Sequence, residues 1–221
     1  VMDASTRRSN SKIFYWGILF LFCLVPFMTL YASIGGAVEI ARAGAPDGQL
    51  IYLFSKLFGR CAVVLVVWQL ITAMLSKFAR QQIEYVAGST IHIYFGAVLR
   101  MMVMFHDGFF VSAVSIRSGH LALHLLLPDI TSGYYATALS FGVIAFYLVI
   151  IAVCSGIVRK RFPAFSKVGH ALIYITIPLI LLHAFMVGSE VQSILFLPLF
   201  MILAISAVLA AVSRAVSLIR T

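Results

Sequence analysis

Apolar residues gather into six long runs separated by short polar connectors, at 13–34, 57–75, 101–127, 136–158, 168–187 and 191–212. A helix needs roughly 20 mostly apolar residues to cross the hydrocarbon core of a bilayer, so each run is predicted to be a membrane-spanning helix. Six spans in 221 residues leave no space for a soluble domain, and the longest connector, 77–100, is itself half apolar. The pattern predicts an all-α fold: one polytopic bundle of six transmembrane helices, with residues 1–221 forming a single domain.

Composition agrees. Hydrophobic residues make up 62% of the chain and charged residues 10%, with a mean hydropathy of +1.07. A soluble domain is about 25% charged, and a soluble globule of this make-up would precipitate. Disorder requires low hydrophobicity, and the 15 glycines show no regular period, so neither disorder nor a collagen-like fibre fits. The net charge of +9 does not indicate nucleic acid, because the basic residues sit in short clusters between the apolar runs.

Those clusters orient the bundle, since Lys and Arg favour cytoplasmic connections. Arg7, Arg8, Lys12, Lys77, Arg80, Arg100, Arg159, Lys160, Arg161, Lys167, Arg214 and Arg220 fall on one side; Arg42 and Lys56 fall on the other, opposed by Glu39, Asp47, Asp129 and Glu190. Both termini are therefore predicted to be cytoplasmic, in a bacterial inner membrane or a plasma membrane. Arg7-Arg8 is followed by a run long enough to span, so it reads as the flank of a first helix and not as an export signal. Cys23, Cys61 and Cys154 lie inside apolar runs and form no C-x-x-C pattern, which leaves packing as their role.

Ionisable groups within a span are costly and usually functional, which makes the histidines the informative residues. Span three carries His106, His120 and His124 with Arg117 between them; span five carries His170 and His183. His92, in the connector before span three, reads as a solvated or interfacial residue. His106 and His120 are 14 residues apart, about 21 Å along a helix and about 40° around it, and Arg117 and His124 lie on the same face. His170 and His183 are 13 apart, a matching depth. Spans three and five run in the same direction, so His106 is expected to meet His170 near the cytoplasm and His120 to meet His183 near the outer surface. Two stacked bis-imidazole sites are what two b-type haems require; the plainer role for these histidines is interhelical hydrogen bonding. Thirteen residues turn a regular helix so that His170 and His183 point about 140° apart, a mismatch that a kink at Pro178 is expected to relieve.

These residues resemble the ferric-reductase-like transmembrane domain shared by ferric reductases and NADPH oxidases. The family is similar in its six spans, in third-helix histidines 14 apart with another four further on, as in His106, His120 and His124, and in fifth-helix histidines 13 apart, as in His170 and His183. Phe58-Gly59-Arg60 looks like the family's Gly-Arg, whose arginine lies near the outer haem. The resemblance implies transmembrane electron transfer through two haem b groups ligated by His106, His120, His170 and His183, as the membrane haem part of an oxidoreductase. It implies a reduced flavin or flavoprotein donor on the cytoplasmic side, with FAD on a separate domain or partner, and an external acceptor: ferric iron, dioxygen or a redox protein. The chain departs from the family at Asp107, where a basic residue is common, and in lacking the flavin and nicotinamide-nucleotide domains that often follow span six. Arg60 and Arg117 either pair with haem propionates or snorkel to the headgroups. His124 replaces His120 as ligand, bonds a propionate or serves the acceptor. The contrasting possibility is a cofactor-free proton channel or transporter that uses the histidine stripe.

Overall fold

The computed structural model describes residues 17, 20, 24, 26–28, 30–31, 44–78, 89–188 and 196–219. Its elements are helical: α1 (Gln49–Phe78), α2 (Ser89–Ser118), a 3-10 turn (Leu123–Leu126), α3 (Tyr134–Ile157), α4 (Pro163–Ala171), α5 (Ile173–Val187) and α6 (Phe196–Ile219). No strand occurs among the described residues. The described residues of the predicted first span are helical, and the rest of that span lies outside the described set. Among the described residues four segments are long and apolar enough to cross a membrane: Gln49–Thr72, His92–Ser118, Tyr134–Ile157 and Pro163–Val187. The fold is thus all-α and compatible with a multi-pass membrane protein. Large apolar side chains such as Met101, Phe105, Ile151, Ile175 and Phe185 face outward, the coat that a bilayer would cover.

The third predicted span differs most. Instead of residues 101–127, the helix covers Ser89–Ser118, starting twelve residues sooner and stopping nine sooner. Ile91, Ile93, Tyr94 and Phe95 extend the apolar run on the N-terminal side. On the other side Gly119 adopts φ +70°, a left-handed conformation that ends helices at little steric cost. Ser115 Oγ then accepts the Ala122 N–H (3.0 Å), holding the chain as it turns away.

Packing sorts the helices into two antiparallel pairs. In the first, α1 lies along α2, with Tyr52 beside Phe110 and Phe58 beside Phe105 and Phe109. At its start Gly48 comes so close that a Cβ would stand 3.1 Å from the Ala113 carbonyl oxygen. The run Val63 to Val67 is buried on every side, which makes α1 the central helix; Leu99, Ile177, Phe200 and Ala207 pack around it. In the second pair α3 lies along α4 and α5. A stripe of three alanines spaced seven apart, Ala138, Ala145 and Ala152, is buried there, and a Cβ on Gly169 would fall 2.4 Å from Ser155 Cβ. Within a bilayer the gain from such a seam is close van der Waals contact between backbones, because lipid tails are as apolar as the side chains.

The predicted fifth span divides at Leu172. Leu172 N–H reaches the Gly169 carbonyl (3.3 Å) and Ile175 N–H the Leu172 carbonyl (3.0 Å), both bonds spanning three residues. Each residue in such a tighter turn advances about 20° more than in an α-helix, which moves His170 and His183 toward a common face. Pro178 sits within α5, so the break precedes it by six residues, and Thr176 Oγ1 adds a further bond to the Leu172 carbonyl (2.9 Å).

Candidate functional site

The two helix pairs face each other across a cleft of about 1340 Å³, open mouth included, that runs from Tyr52 and Gly188 down to Val66 and Val149. The 3-10 turn closes part of it with Leu125 and Leu126. Two bonds to α3 hold this lid: Tyr147 OH donates to the Leu126 carbonyl (2.9 Å), and Asp129 N–H donates to Ser140 Oγ (2.6 Å). The carboxylate of Asp129 accepts from Ser132 and Thr131 in the adjoining turn. Those bonds, the Ser132 hydroxyl first, lower its pKa from 3.8 to about 2.

Within the cleft His106 of α2 and His183 of α5 approach from opposite walls, with ring centroids 6.3 Å apart and planes at 70°. Each ring is tied back to the helix beside it. His106 Nδ1 donates to the Ser55 carbonyl (2.9 Å) and lies 3.1 Å from Ser55 Oγ, which itself donates to the His106 carbonyl (2.7 Å). His183 Nδ1 donates to the Ala138 carbonyl (2.9 Å). In both rings Nε2 has no hydrogen-bond partner among the described residues. This is the arrangement of a ligating histidine, whose second nitrogen is held by a backbone carbonyl so that tautomer and ring plane are set.

A second pair lies near the start of α2 and the end of α4. His92 of α2 and His170 of α4 have ring centroids 5.9 Å apart at 81°, and both residues are exposed. A metal–imidazole bond is about 2 Å and a ring centre lies about 1 Å behind its nitrogen, so imidazoles on opposite sides of one metal ion have centroids about 6 Å apart. Both pairs fit that separation. Among the described residues no three metal-binding side chains converge.

The pairing expected from the sequence is therefore displaced by one step. His106 meets His183 and not His170, and His170 meets His92, which the sequence marks only as a solvated or interfacial residue. His120 lies past the end of α2 on the exposed lid, where its ring stacks on that of His124 at 6.5 Å; neither reaches His183. The cause is the position of α2: once the helix stops at Gly119, the 14-residue spacing that remains inside it is His92 to His106.

The arginines also separate. Arg60, 7% exposed, lines the cleft one residue beyond Gly59. Arg117 is exposed at the rim, donating to the Asp47 carbonyl (3.3 Å) and to Gln49 Oε1, with its guanidinium over the Tyr52 ring. Asp107 lines the cleft beside His106, and its buried Oδ2 has no hydrogen-bond partner among the described residues. The sequence alone does not single out Ser55, Ala138 and Gly142, whose contributions are backbone carbonyls, one hydroxyl and the absence of a side chain.

No family model, curated protein or solved structure matches the chain.

Proposed function

We propose that this protein is a membrane cytochrome that carries electrons across a bilayer, with His92 and His170 holding one b-type haem and His106 and His183 holding a second. The observation that carries the reading is the pair of opposed imidazole couples, 5.9 and 6.3 Å between centroids, at matched spacings of 14 and 13 residues along helices that run in the same direction. Held there by two imidazoles of the chain, each haem would supply a one-electron redox centre.

The remaining tasks fall to the chain. Ser55 and Ala138 hold the Nδ1–H of their histidines and leave each Nε2 to the cleft. Arg60 supplies a buried positive charge suited to a carboxylate. Leu125 and Leu126 restrict water at the mouth. We assign the remaining parts as the resemblance to ferric reductases and NADPH oxidases suggests: six spans with both termini cytoplasmic, a reduced flavin or flavoprotein as donor with FAD on a separate domain or partner, and ferric iron, dioxygen or a redox protein as outer acceptor. A cofactor-free proton path has less to build on, because the hydroxyls of Ser112, Ser115, Ser140, Ser155 and Thr176 are bonded to carbonyls of their own helices and form no polar track.

The deciding measurement is the absorption spectrum of the purified protein with its haem-to-protein ratio. A sharp Soret band, a reduced-state alpha band and a ratio near two support the proposal. A colourless, stably folded protein overturns it.

A further inference from the structure

Resting on the reading of His106 and His183 as a ligand pair, we infer that Gly59 and Gly142 are positioning residues, each the floor of a seat that fixes the plane of one imidazole. A Cβ on Gly59 would stand 2.9 Å from His106 Cε1 and Nδ1; one on Gly142 would stand 2.7 Å from His183 Nδ1 and 2.8 Å from Cε1. Both distances are shorter than real Cβ contacts, and the obstructing group is a ring held by a hydrogen bond, not the free end of a flexible chain.

The two seats follow one rule. The carbonyl that accepts the ring N–H belongs to the residue four before the glycine: Ser55 before Gly59, Ala138 before Gly142. In an α-helix Cα–Cβ bonds tilt toward the N-terminus, so the side chain of residue i+4 covers the carbonyl of residue i. Glycine at i+4 uncovers that carbonyl, which then accepts a second bond from outside the helix. A carbonyl seat for a histidine on a neighbouring helix therefore requires glycine one turn later. Here α1 and α3 each supply one seat, from opposite walls of the same cleft. They differ in one respect, since Ser55 adds a hydroxyl to its seat and Ala138 has none.

The same helices provide controls. A Cβ on Gly108 of α2 or Gly156 of α3 meets nothing within 4 Å. The test compares Gly59→Ala and Gly142→Ala with Gly108→Ala and Gly156→Ala, reading haem-to-protein ratio, the low-spin electron paramagnetic resonance signals of the oxidised protein, which report the angle between ligand planes, and midpoint potentials. Each seat variant is expected to lose one haem of two, or to keep it with a displaced low-spin signal and potential, while the control variants match the parent. Seat variants indistinguishable from controls overturn the inference and leave the cytochrome reading intact; a parent protein without haem overturns the cytochrome reading itself. If a seat variant does not fold, Ser55→Ala serves instead. It keeps the carbonyl and removes the hydroxyl, and is expected to move the potential of one haem only; two unchanged potentials then count against the seat.

Discussion

The two histidine pairs have nearly the same ring separation and very different surroundings. His106 and His183 sit within their helices, each tied by Nδ1 to a backbone carbonyl and pressed against a glycine. His92 and His170 sit near helix starts and breaks, exposed, with no hydrogen bond to either ring among the described residues. One pair is held in place before any ligand arrives, and the other is set mainly by the paths of α2 and α4. The contrast teaches that two pairs with the same ring separation can differ widely in how firmly they are held, which burial and tethering determine.

The largest effect should follow from alanine at His106 or His183, which is expected to take the haem-to-protein ratio from two to one; a ratio that stays at two breaks the assignment of the buried pair. Alanine at His92 or His170 should also remove one haem. Because that pair is exposed, free imidazole added to the purified variant is expected to restore the lost Soret intensity, and it should fail to do so for His106→Ala or His183→Ala. Equal rescue at both sites would erase the difference drawn between them. A smaller effect is expected from His120→Ala and His124→Ala, which should keep both haems, with loss of one returning the outer ligand to the lid.

The smallest effect concerns the lid itself. The Asp129 carboxylate is acidified by the hydroxyls and amides around it, so its bonds stabilise the turn in full above pH 3.8 and are lost as the pH falls toward about 2. Amide exchange at Thr131 and Ser132 should accelerate across that window, and Asp129→Asn should exchange at a rate that no longer depends on pH there beyond intrinsic chemistry. An unprotected Ser132 amide at neutral pH would show that the turn is not held by this carboxylate.

Much of the helical organisation was legible in the sequence because the apolar runs are long and glycine and proline punctuate them. The expected 136–158 span matches Tyr134–Ile157 within two residues. The histidine pairing was harder for a specific reason. His92, His106 and His120 form a ladder with equal 14-residue steps, so spacing alone fits two registers equally well. The residue that distinguishes them is Gly119, whose left-handed backbone ends α2 below His120. Apolar character continues past it through Leu121 to Leu127, and that run drew the predicted span too far. The helix break at Leu172 was hidden for a related reason: no residue there is a known breaker, while Pro178, which is one, lies inside an intact α5.

The 14-residue step between His92 and His106 also has an electrical meaning. It corresponds to about 21 Å along the helix, against a hydrocarbon core of about 30 Å. Under the proposed function, a charge passed from one pair to the other crosses about two-thirds of the low-dielectric layer, where the transmembrane voltage falls. Full passage of one charge is worth about 2.3 kcal/mol per 100 mV, so this step feels about 1.5 kcal/mol of it. With the cytoplasm negative the field drives electrons outward, and collapsing the membrane potential removes that drive.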